Sequence, residues 1–174
     1  IPKKGVHELK RMADSVEIDN IELSVDDSFI YARSGDDYFI SIRLIARDYP
    51  KYQAVIPAKT TFKIKADRNR FYEAIKRIRI MANDKSNQVR LNIDSTKIEL
   101  SANHPSLGNA KELIPVDYDG KKMEIGFNAK YLVEALSSLS EGEVLIELNN
   151  EISPVIIKSA SLPNYLGIVM PLKL

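Results

Sequence analysis

The side chains with the types for metal binding or proton transfer are few: His7, His104 and two adjacent carboxylate pairs, Asp26-Asp27 and Asp36-Asp37. Neither histidine has beside it the spacing of a metal or triad site, and both read as surface residues, His104 within an Asn103-His104-Pro105 turn. Each Asp pair falls where a hairpin turn is expected, and aspartate favours turns because its carboxylate accepts hydrogen bonds from nearby backbone N–H groups. The absence of cysteine excludes thiolate nucleophiles, disulfides and cysteine metal sites. Seven glycines form neither a GxGxxG loop nor a phosphate-binding loop. No catalytic residue, metal or cofactor is therefore expected. What stands out instead is apolar: the chain closes with NYLGIVMPLKL, Asn164 to Leu174, although terminal residues are loose unless something holds them. Such a tail is either a strand or part of a surface.

Lys and Arg number 25 against 24 Asp and Glu, so no global field favours nucleic acid or membrane, and any basic patch must be local. A composition 44% hydrophobic and 28% charged is that of a globular chain of one or two domains. No apolar run approaches the ~18 residues of a membrane span. The lack of cysteine fits a cytoplasmic protein. A start at Ile1 rather than Met gives the expectation of a fragment.

Periodicity supplies the elements that must position these residues. Phe71, Ile75, Ile78 and Ala82, spaced by three and four, predict a helix that Asp67 can cap. Strands are expected over 89–93, 98–102 and 110–116, with turn residues between them. The pattern then repeats: Asn128 caps a helix with Leu132, Ala135, Leu136 and Leu139 inward, and strands follow over 144–148, 155–158 and 166–170. Short strands over 62–66 and 123–127 lead into the helices. The unit is strand, helix, three strands, recurring about every 61 residues, the separation of Asp67 and Asn128. An N-terminal helix over 4–13 and strands near 21–25, 30–34 and 38–45 form a third copy without its leading strand. The fold class is α+β.

The helix after Asp67 turns Asn69, Glu73, Lys76, Arg77 and Ile80 away from its apolar stripe. Lys76 and Arg77 could contact phosphates, with Glu73 weakening the attraction; a solvated helix face is the plainer reading. Lys3 and Lys4 stand at the start of the first helix. No aromatic residues interleave with these charges, which disfavours single-strand recognition. Ile80, with Met81 beside it, is an apolar residue on a polar face.

The motifs PKKGVHEL, RDYPKY with AVIP behind it, NQVRL, MEIGFNAKYLVEAL and VMPLKL appear in order along the chain. Over essentially the whole length the sequence resembles the bacterial sliding clamp, the beta subunit of DNA polymerase III. The resemblance implies the DNA clamp fold, with helices on the inner face of a ring and sheets outside. It implies a homodimer of three-domain subunits, with residues 1–53 the C-terminal half of the middle domain and 54–174 a complete third domain. By that comparison the first domain and half of the second are absent.

The resemblance also implies a DNA polymerase processivity factor that slides on duplex DNA, read without regard to sequence, with basic Lys3 and Lys4 facing the channel. Polymerases, the clamp loader and repair proteins would dock short linear motifs into an apolar pocket. Carried over by motif, that pocket takes Pro50, Val55, Asn128, Tyr131, Ile152, Ser153, Pro154, Ile168, Val169, Met170, Pro171 and Leu172. Methionine adapts to varied apolar anchors, and Asn128 and Ser153 would orient the ligand. Ala54 replaces a familiar arginine and Ser86 an aromatic, so the rim should be smaller and less charged; Lys173 replaces a familiar arginine near the end. Ile80 and Met81 match a dimer contact, and the 110–116 strand an intersubunit sheet edge. The rival reading is a non-catalytic scaffold without a DNA role.

Overall fold

The computed structural model describes residues 1–15 and 20–174. They form two compact units, Ile1–Pro50 and Lys51–Leu174. The division precedes the expected one after residue 53, so the 3-10 turn Tyr52–Val55 lies wholly in the second unit.

The first unit is a helix, α1 (Lys3–Ala13), and an antiparallel sheet of β1 (Glu22–Val25), β2 (Phe29–Ser34) and β3 (Tyr38–Arg43), in that order. Among its described residues Met12, Ile30, Ala32 and Ile42 form the buried apolar core. Gly5 lets α1 approach β3 closely, because a Cβ there would stand 2.5 Å from Ile42 Cγ2. The other sheet face carries an aromatic row, Phe29–Tyr31–Phe39, with ring centroids 6.0 and 6.1 Å apart. Asp26 fixes the β1–β2 turn by accepting from the N–H groups of Ser28 and Phe29 and from the Tyr31 hydroxyl.

The second unit repeats strand, helix, three strands twice. The first copy is β4 (Phe62–Asp67), α2 (Arg68–Arg79), β5 (Gln88–Ile93), β6 (Lys97–His104) and β7 (Gly108–Tyr118). The second is β8 (Met123–Asn128), α3 (Ala129–Ser137), β9 (Glu143–Leu148), β10 (Val155–Ser159) and β11 (Gly167–Val169). The caps are those the sequence predicts: Asp67 accepts from Arg70 N–H at 2.8 Å, and Asn128 from Lys130 N–H at 3.0 Å. The strand order is β11-β10-β9-β4-β7-β6-β5-β8. Each leading strand therefore pairs across the repeat, β4 with β9 and β8 with β5.

Both helices press their apolar stripes onto one core, where Phe71, Ile75, Leu132 and Leu136 meet Ile98, Leu100, Ile125 and Val144. Phe71 has no exposed surface, so Phe71→Ala would cost about 3–5 kcal/mol. Two carbonyls of the last turn of α3 also accept from side chains outside the helix. Arg68 donates to Leu136 O at 3.0 and 2.7 Å, and the Tyr165 hydroxyl donates to Ala135 O at 2.6 Å. The first bond ties α2 to α3; the second ties the approach to β11 against α3.

Candidate functional site

The C-terminal tail lies beside α3. Strand β11 pairs with β10 through Gly167↔Ile157, Ile168↔Ile156 and Val169↔Val155. Alternation then separates three neighbours. Val169 is buried in the core at 3% exposure, Ile168 is half-buried, and Met170 is 54% exposed. Tyr131, on the first turn of α3, is also exposed. Between α3 and β11 lies a cleft of about 330 Å³ lined by Tyr131, Glu134, Ala135, Tyr165, Gly167, Ile168 and Val169. Pro171 ends the strand, having no N–H to donate. Leu172 N–H then donates to the Gly126 carbonyl of β8 at 2.8 Å.

Three more residues of the expected pocket precede β10. Asn150 Oδ1 accepts from the N–H groups of Ile152 and Ser153, at 3.0 and 2.8 Å, and holds this turn. Ile152 is thereby left 73% exposed, with Ser153 and Pro154 half-buried. The antiparallel pair Val155↔Val169 sets Pro154 and Met170 on neighbouring segments of the chain. Asn128 works structurally in this state: its Oδ1 caps α3 and its Nδ2 donates to the Ser86 carbonyl at 3.3 Å. Val55 is half-exposed at the end of its 3-10 turn, and Pro50 is exposed in the first unit.

The expected phosphate contacts divide. Lys3 and Lys4 are exposed on the first turn of α1. Lys76 instead donates to Glu73 at 3.0 and 3.2 Å, and Arg77 makes a two-pronged pair with Glu112 of β7, at 3.1 and 2.5 Å. The hydrogen bond from Arg77 to Glu112 holds the guanidinium pKa above its ordinary value. Ile80, which caps the end of α2, is 74% exposed, while Met81 packs against the core. Between Gly108 and Pro115, β7 pairs with β6, and among the described residues no strand covers its other edge.

One aspartate of each acidic pair, and the turn histidine, serve local structure. Asp26 organises its turn, Asp36 pairs with Arg33, and His104 Nδ1 accepts from Ser106 and Leu107 N–H, both at 3.2 Å. Among the described residues no cluster of three His, Asp or Glu side chains could hold a metal, and no helix is long and apolar enough to cross a membrane.

The model of the family described as DNA polymerase III beta subunit, C-terminal domain, matches residues 53–173. The chain belongs to that family. It is 32% identical to the beta sliding clamp of Proteus mirabilis and 33% identical to that of Salmonella typhimurium, over 174 residues in each case. Both alignments cover 100% of this chain and 47% of the relative, so the chain spans about half the length of the curated relatives it matches. A crystal structure of the Pseudomonas aeruginosa beta subunit matches with a TM-score of 0.88 at 28% identity, covering 100% of this chain and 47% of that one. A Bartonella birtlesii clamp bound to griselimycin gives 0.88 at 29%, covering 100% and 46%. The DNA clamp fold expected from the motifs is the fold found.

Within this beta-subunit fold, several contacts had no signal in the sequence. Glu112 neutralises Arg77 from a distant strand, and Tyr165 reaches across to α3. The bridge from Leu172 to Gly126 joins segments far apart in the chain. Only the glycine inside the apolar MEIGFN run hinted at a close backbone approach there.

Proposed function

We propose that the full-length protein is a non-catalytic, cytoplasmic processivity factor. As a homodimeric ring it encircles duplex DNA and tethers DNA polymerase, clamp loader and repair proteins by docking their short linear motifs. Residues 1–53 supply half of the middle domain and 54–174 the third domain. The observation that carries the reading is the apolar wall of Ile168, Met170 and exposed Tyr131 beside the α3 cleft, held on a sheet edge of a beta-subunit fold. A wall of this kind suits an apolar peptide anchor, since methionine adapts its shape and the neighbouring Ile152 to Pro154 turn borders it. Val55, Asn128, Pro171 and Leu172 complete the proposed pocket, with Val169 packed beneath it. The griselimycin-bound Bartonella birtlesii clamp supports a ligand-binding surface in this family.

DNA contact is assigned first to Lys3 and Lys4, because Lys76 and Arg77 are already paired with carboxylates and would add little to phosphate binding. Subunit contact is assigned to Ile80 with Met81 and to the open edge of β7, since an exposed strand edge and a large exposed apolar side chain both gain from a partner. The test is loading of the full-length protein onto nicked circular DNA. Retention on circles, release on linearisation and longer polymerase products are expected. A protein that leaves circles as fast as linear DNA and does not lengthen products would be a scaffold without a DNA role.

A further inference from the structure

Gly126 stands two residues before the Asn128 cap, as Lys65 stands two before the Asp67 cap, so the two are counterparts in the repeat. Lys65 lies at the centre of the junction between β4 and β7, paired with Asp117 and flanked by Ile64↔Tyr118 and Ala66↔Val116. Gly126 lies at the corresponding junction of the second copy, where β8 meets the tail. There a single bridge, Gly126↔Leu172, does what three residue pairs do in the first copy. This bridge also joins the two ends of the strand order, since β8 is last and the tail follows β11, which is first.

The glycine is not demanded by its backbone: the positive-φ glycines are Gly35, Gly108 and Gly142. It is demanded by space. A Cβ on Gly126 would stand 2.6 Å from Leu174 Cδ2, 3.1 Å from Leu174 Cγ and 3.0 Å from the Leu172 carbonyl oxygen. Gly126 is buried although it shares a strand face with exposed Glu124 and half-buried Asn128. Tail residues Leu172 and Leu174 are what cover it.

We infer that Gly126 is a positioning residue for the peptide pocket: its missing side chain lets the tail close onto β8, which fixes Leu172 and the adjoining Met170–Pro171 wall. The inference rests on the peptide-docking reading of that wall. Without the bridge, everything after Val169 is anchored from one side only, and the wall is held through β11 alone, a strand of 3 residues.

The test uses the full-length protein as wild type, Gly126→Ala, Leu174→Ala and the double variant. Two quantities are read: affinity for a labelled Gln-containing peptide ending in Leu-Phe, by fluorescence anisotropy, and hydrogen exchange of the C-terminal segment against that of α3. Gly126→Ala is expected to speed tail exchange about tenfold and to raise Kd about fivefold, with α3 unchanged. The double variant, which trims the side chain behind two of the three close approaches, is expected to recover most of both. Wild-type exchange and affinity in Gly126→Ala would overturn the inference, as would a double variant no better than the single. Should Gly126→Ala alone not fold, the double variant decides: folding and tail protection restored by trimming Leu174 support the role, and a double variant that fails as well removes it. A wild-type protein that binds no peptide would sink the pocket reading itself, while tail exchange would still report on the junction.

Discussion

Met170 and Val169 are adjacent, yet they should fail in opposite assays. Met170 is 54% exposed, so roughly half of its side chain remains to be covered by a docked peptide. Fully burying a side chain of this size is worth about 1.5–3 kcal/mol, so the uncovered half is worth about 1 kcal/mol to a ligand. Met170→Ala should then weaken peptide binding about fivefold, at about 1.4 kcal/mol per factor of ten. Its folding stability should fall by about 1 kcal/mol at most, because about half of the side chain is already in water. Val169 is only 3% exposed and sits in the core. Val169→Ala removes two carbons' worth of burial at about 0.8 kcal/mol each, plus a cavity term, for about 2 kcal/mol of stability. Anisotropy titration and thermal melting of the full-length variants separate the two quantities. Equal peptide affinities for wild type and Met170→Ala would remove Met170 from the pocket. A melting loss in Met170→Ala as large as in Val169→Ala would show the alternation itself to be misread.

Lys3→Ala with Lys4→Ala should lower the slope of DNA affinity against salt by about 2, one per released phosphate contact, whereas Arg77→Ala should change it by less than about 1 because Glu112 already neutralises that guanidinium. Equal slopes for both variants would contradict the ranking. Ile80→Asp should leave the fold intact, since the side chain is 74% exposed, but shift the full-length protein from dimer to monomer in sedimentation; an unchanged dimer removes Ile80 from the interface. Asp26 is held below the ordinary carboxylate value chiefly by the Ser28 N–H, then by the Phe29 N–H and the Tyr31 hydroxyl. With the folded value depressed, its stabilisation is complete above about pH 3.9 and is lost as pH falls through the folded value. The melting gap between wild type and Asp26→Asn should close on acidification from about pH 6 to about pH 2, and a constant gap would count against the turn role.

Local chemistry made much of this legible. Asp67 and Asn128 are readable as caps because a short acceptor preceding an apolar period has few other uses, and both cap as expected. The tail reads as a strand, but which of its residues enters the core is set by pairing with β10: Val169 is buried and Met170 is exposed. What the sequence hid is pairing between distant segments. Nothing near Arg77 announces Glu112, and a helix wheel treats the guanidinium as solvated. Asn128 reads as a ligand-orienting amide, yet its two ends are engaged by Lys130 N–H and the Ser86 carbonyl. The tail's attachment to β8 depends on sheet order, which a linear reading cannot supply.

The exchange of leading strands gives the second unit a particular assembly problem. Strand β4 is made first, but one of its partners, β9, comes after α3. During synthesis β4 must therefore wait, with that edge open, until most of the unit has left the ribosome, and closing so long a loop makes folding slow. The first repeat excised from the chain would keep the short pairing of β4 with β7 but leave the β9 side of β4 open. The two repeats close each other's open edges, β4 against β9 and β8 against β5, so the smallest self-sufficient form of this architecture is a pair.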